Sequence, residues 1–89
     1  MTEIGKTYIA SSIEEFIRSE YSISLDDSKF SSQVHLWEEG YLDSMGVVEV
    51  INFIETTFEV KIPESALFSE DFTNIDGMAG IVANLISTR

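Results

Sequence analysis

Ser44, in the run EEGYLDSMGVVEV (Glu38–Val50), is the side chain of this sequence whose setting most suggests chemistry. It lies between Asp43 and Met45, just ahead of a helical repeat of apolar residues. Four roles are open to a serine there. As a helix N-cap, its hydroxyl would accept a hydrogen bond from an orphan backbone N–H, worth about 1 kcal/mol, and Asp43 could share that duty. The reciprocal partner of a capping box is missing, since Val47 and Gly46 stand three residues after Ser44 and Asp43. As a nucleophile, Ser44 would need a base and an orienting group. The chain has one histidine, His35, and no G-x-S-x-G elbow surrounds the serine. As a phosphorylation site, it would place an anion at a helix N-terminus, a favourable arrangement shared by any exposed serine so placed. As an acceptor modified by another enzyme, it would be exposed and rigidly aimed at a loop-to-helix junction. The adjacent carboxylate could help to orient a metal-bound phosphate donor. The apolar residue after the serine, with an acidic face beyond it, would give the modifying enzyme a grip.

The elements that must position this serine are mostly helices. In YIASSIEEFIRSEY, Ile9, Ile13, Phe16 and Ile17 follow the spacing of one helix face, which predicts a helix over Ile4–Glu20 with Thr2 or Thr7 as its cap. A long connection follows, rich in Ser, Asp and Gly. Phe30, Val34, Leu36 and Trp37 are the residues able to pin it to a core, with His35 a partly buried loop residue among them. The second helix begins near Ser44, and Val47, Val50, Ile51, Ile54 and Phe58 form its core stripe. A second arc runs from Met45 through Val48, Asn52 and Glu55 to Glu59, bordered by Glu49. It mixes apolar side chains with carboxylates, as an ordinary surface or a docking face would.

Pro63 ends this region, since it cannot sit inside a helix. ALFSEDF reads as a short helix or turn with Leu67, Phe68 and Phe72 as apolar anchors. The last helix, NIDGMAGIVANLIS, repeats Met78, Ile81, Val82 and Leu85 along one face, with Thr73 or Asn74 as cap and Asp76 at the positive end of the dipole. Gly77 and Gly80 weaken that helix by roughly 1 kcal/mol each, but would let another backbone approach. FEVKI alternates like a strand but has no partner for a sheet. The expected fold class is all-α: a small four-helix bundle of three main helices and one short one, with a long loop after the first.

Bulk properties narrow the function. The 89 residues suit a single domain spanning 1–89, and 44% hydrophobic content allows a modest core. There is no cysteine, hence neither a disulfide framework nor a thiolate metal site, and one histidine gives metal binding no support. Sixteen acidic residues against five basic ones give a net charge of -11, which repels nucleic acid and anionic membranes and attracts basic protein surfaces. No apolar run approaches the roughly 20 residues of a membrane span. The N-terminal MTEIGKTYIASS lacks the pattern of a secretory signal, so the expected location is cytoplasmic.

LWEEGYLDSMGVVEVINFIETTFEVKIPE resembles the core of the acyl carrier and peptidyl carrier protein family, and EDFTNIDGMAGIVANLI resembles its third and fourth helices. Family members carry Asp-Ser-Leu/Met at the start of the second helix. The resemblance implies that Ser44 receives a 4′-phosphopantetheine arm from coenzyme A, with Asp43 as the neighbouring motif aspartate. The arm's thiol would hold an acyl or aminoacyl group as a thioester. Met45 and Val48 fall on apolar recognition positions, Glu49 and Glu55 on acidic ones. The implied partners are a phosphopantetheinyl transferase, an acyl- or aminoacyl-loading ligase and a downstream acyl-using enzyme. The chain would act as a monomeric carrier and not as an enzyme. Two positions depart from the common pattern. Glu59 stands where members commonly have Gly, and Gly46 with its GYLDSMG lead-in is more similar to D-alanyl and adenylation-partnered carriers than to the fatty acid type. The alternative is an acidic helical adaptor that keeps the carrier fold but binds partners without an arm.

Overall fold

The computed structural model describes residues 5–88. The three periodic segments are helices: α1 Lys6–Glu20, α2 Ser44–Phe58 and, last in the chain, Ile75–Ser87. Between the second and the last lie a one-turn helix, α3 (Glu64–Leu67), and a 3₁₀ turn, Glu70–Thr73; the last helix is α4. The single short element expected over ALFSEDF is thus two short pieces. Pro63 is the N-cap residue of the first, where its fixed φ and missing N–H are tolerated. No strand occurs among the described residues, FEVKI included. The expected start of α1 at Ile4 and the Thr2 cap lie outside the described residues. Thr7 is inside α1, whose N-cap residue is Gly5.

The core sits where the three long helices meet. Ile9, Ile13 and Ile17 from α1, Val50 and Ile54 from α2, and Met78, Ala79 and Val82 from α4 have no exposure. Burying each of the larger side chains contributes roughly 1.5–3 kcal/mol. Val47 and Ile51, at the edge of the predicted stripe, are only partly buried. Phe16 is also half-buried and stacks on Phe53 of α2, with ring centroids 4.3 Å apart. The α4 seam is closer still. A Cβ at Gly77 would lie 1.8 Å from the Asp71 carbonyl oxygen, so here a glycine is what allows the 3₁₀ turn to press on the helix. At Gly80 the nearest contact is the Lys6 side chain at 3.8 Å, and no close backbone requires that glycine.

The long connection is anchored on both sides. Phe30 and Leu36 are buried, and Val34 and Trp37 partly so. The Asp27 carboxylate accepts from the Tyr41 hydroxyl at 3.0 Å and from the Lys29 and Phe30 N–H groups. Burial pushes the Asp27 carboxyl up, but these hydrogen bonds and nearby Arg18 outweigh it and hold its pKa below the ordinary value. Arg18 also lies over the Phe30 ring, 4.6 Å from its centroid. Closer to Ser44, the Leu36 carbonyl accepts from both Tyr41 N–H (2.8 Å) and Leu42 N–H (3.0 Å), while Leu36 N–H donates to Thr73. The segment leading into α2 is therefore tied to the 3₁₀ turn.

Candidate functional site

The residue that caps α2 is Asp43, not Ser44. Asp43 has extended backbone angles, and its Oδ1 accepts from Gly46 N–H at 2.8 Å. Ser44 is the first helical residue, one place further in. This shift is a matter of reach: a carboxylate before the first turn can bend back to an orphan N–H, and so the next hydroxyl is not needed for capping. Ser44 is exposed, and among the described residues its hydroxyl makes no hydrogen bond. The site offers a free hydroxyl held by a capped helix start.

Around it the predicted recognition residues have unequal settings. Met45 is 66% exposed and Val48 58%, so two apolar side chains stand in solvent next to the serine. Glu49 accepts a hydrogen bond from the Tyr21 hydroxyl, which ties the end of α1 to the first turns of α2. Burial pushes the Tyr21 phenol up to about 12, helped by that hydrogen bond and by the charges of Glu49, Asp43 and Glu20. The same hydroxyl would lie 3.2 Å from a Cβ at Gly46. Glu55 is half-buried and accepts from Ile62 N–H at 2.9 Å, so one of its oxygens holds the chain after α2. Glu59 ends α2 in the left-handed conformation (φ 54), which explains why glycine suits that position.

Sequence reasoning missed the Tyr21 tether, since its partners are 28 residues apart and share no local pattern. It also misplaced Phe68. Of the two phenylalanines expected as anchors, Phe72 is buried and Phe68 is 84% exposed. Phe68 borders an open groove of about 370 Å³ lined by Trp37, Asp43, Ser44, Val47, Leu67 and Phe68. His35 lies behind Trp37, with its ring against the indole at 4.8 Å and its Nδ1 accepting from Glu38 N–H. It is not among the groove's lining. No cluster of three or more His, Cys, Asp or Glu able to hold a metal occurs among the described residues. None of the described helices is long and apolar enough to cross a membrane.

The family model described as "Phosphopantetheine attachment site" matches residues 12–82. Among curated proteins, the D-alanyl carrier protein of Streptococcus suis is 31% identical over 81 residues, 91% of this chain and 94% of the relative. That of Streptococcus uberis is 32% identical over 63 residues, 71% of this chain and 80% of the relative. That of Streptococcus pyogenes serotype M5 is 32% identical over 65 residues, 72% and 82% respectively. No solved structure matches significantly.

Proposed function

The chain belongs to the phosphopantetheine attachment family, whose cofactor is a covalent 4′-phosphopantetheine, and from that premise we propose that it is a freestanding carrier with its arm on Ser44. The observation that carries the assignment is the exposed, unbonded Ser44 hydroxyl at the first position of α2. The residues present fit the group. A phosphoryl ester on Ser44 meets the positive end of the α2 dipole, and the one carboxylate beside it, Asp43, is turned back onto Gly46 N–H. When bound, the arm supplies a thiol to a chain that has no cysteine, and that thiol holds an acyl or aminoacyl group as a thioester.

The chain's own residues hold and present; they do not catalyse. Asp43 fixes the start of α2, and Tyr21 fixes Glu49 beside it. Met45 and Val48 offer an apolar contact next to the attachment point, with Glu49 and Glu55 as its acidic border. A net charge of -11 favours encounter with basic patches on a phosphopantetheinyl transferase, a loading ligase and a downstream acyl-using enzyme. The likeness to D-alanyl carrier proteins supports a small aminoacyl cargo loaded by an adenylating ligase. This reading has one domain acting as a monomer in the cytoplasm.

Incubation of the apo protein with coenzyme A and a promiscuous phosphopantetheinyl transferase, followed by intact mass measurement, tests the assignment. The expected result is the gain of one arm, absent in Ser44→Ala. Because Ser44 does not cap α2, that variant should keep its stability within about 0.5 kcal/mol. No mass gain with several transferases overturns the reading. Adding ATP, D-alanine and a D-alanine-adenylating ligase to the modified protein then tests the cargo, read as a hydroxylamine-labile mass increment.

A further inference from the structure

We propose that the groove between α1 and α2 is a second docking surface, which takes an arginine-bearing basic segment of a partner protein. Its apolar part is the Phe16–Phe53 stack, two half-buried rings inclined by only 14°. Two adjoining hollows share Phe16, Glu20, Phe53 and Thr57, and so form one trough along the pair of helices. Three carboxylates, Glu15, Glu20 and Glu49, line it, and no basic residue does. The trough lies on the far side of α2 from Ser44. Phe53 is nine residues on, about two and a half turns, which puts it about 180° round the helix. A partner seated there leaves Ser44 uncovered, so the protein can be held at one face while the other is in use.

Aromatic surface beside carboxylates is what an arginine reads. Its planar guanidinium can lie on a ring while its N–H groups reach carboxylate oxygens. The chain builds this arrangement once for itself: Arg18 lies over the Phe30 ring, and its Nε donates to Glu14 at 2.9 Å. In the trough the chain supplies the rings and the carboxylates but no cation. Arg18 is engaged at Phe30, and Lys6 pairs with Asp76. Among the described residues, neither Glu15 nor Glu20 has an ion pair. A second copy of this chain is the wrong occupant, since it brings a charge of -11 and the same three carboxylates. A basic segment is drawn in by that charge, and its arginines cover the ring surface that α1 and α2 leave half-open.

Titration of the isotope-labelled protein with a short helical peptide of Arg, Leu and Ala, followed by amide NMR shifts, tests the proposal. The shifts should centre on Phe16, Ser19 and Phe53 and spare Ser44, Met45 and Val48. Binding should weaken about fivefold in the double variant Glu15→Gln, Glu20→Gln, two exposed carboxylates whose change leaves the core untouched. The charge-matched control Glu38→Gln, Glu39→Gln should weaken it less than about twofold. Exchanging the peptide's arginines for lysines should cost about threefold. Shifts centred on Met45 and Val48, shifts spread evenly over the acidic surface, or equal weakening in the two double variants overturns the docking surface. So does the absence of binding up to about 1 mM peptide. Equal binding of the lysine peptide overturns the part given to the rings. Shifts at Phe16 and Phe53 that follow protein concentration without peptide assign the face to a second copy instead.

Discussion

Two helices of this protein begin with the same device and use it oppositely. At α2, Asp43 accepts from the N–H of Gly46; at α4, Asn74 accepts from the N–H of Gly77, at 2.8 and 2.7 Å. In both, the cap is followed two residues before a glycine by the first helical residue. At α4 that residue is Ile75, fully buried, and the glycine is pressed against the Asp71 backbone. At α2 it is Ser44, exposed, and the glycine faces side-chain ends, those of Leu42, Tyr21 and Asp43, and no backbone. One helix start is sealed by the fold and the other is left open. Local capping chemistry sets the direction of a helix; the covering decides whether its first residue serves the core or the outside.

This contrast can be broken most sharply at Gly77. Gly77→Ala puts a Cβ 1.8 Å from a carbonyl oxygen, which only a backbone shift relieves, and should cost about 3 kcal/mol in a urea melt. A loss below about 1 kcal/mol would show that the seam is not sealed. The caps come next. Asp43→Ala and Asn74→Ala should each cost about 1 kcal/mol by the same measurement, and a markedly larger loss at one end would mean that the two caps are not equivalent devices.

Of the two helix starts, alkaline pH should act on the open one. The Tyr21 phenol titrates at about 12 instead of its ordinary 10.0. A raised folded-state value gives stability that is complete below pH 10 and lost as pH rises through 12. In a Tyr8→Phe, Tyr41→Phe background, the phenolate absorbance should rise with that high midpoint and fall back toward 10 in Glu49→Gln. Methyl signals of Leu42 should move before those of Ile75. The smallest effect is expected for Gly46→Ala. Here the gain of about 1 kcal/mol in helix propensity is set against small shifts of two flexible side chains, so the net change should lie near zero.

Much of the fold was legible in the sequence because it is written in short-range spacing. The triplet Ile9, Ile13 and Ile17 and the Met78–Val82 repeat mark faces that the structure buries. The candidate serine was legible too, as a cap-like position without a capping-box partner. The choice between Asp43 and Ser44 as cap was not, because both are good caps and only the backbone angles at Asp43 decide it. Phe68 was misread for a related reason. A one-turn helix is too short to have a periodic face, so nothing local distinguishes Phe68 from Phe72, and the packing of the 3₁₀ turn makes the distinction. The value of Gly77 was seen only as a permission; the Asp71 backbone that requires it arrives from a separate element.

The openness of Ser44 has a consequence for mutational drift. A lineage that changes position 77 gives up about 3 kcal/mol of a small stability, and the fold itself weighs against such variants. Position 44 has no such guard, since an exposed first-turn residue with no hydrogen bond can be replaced without disturbing its neighbours. A serine persists there only while its hydroxyl is in use. A gene copy released from that use would go on making a folded, acidic bundle that had lost its hydroxyl and left no structural trace of the loss.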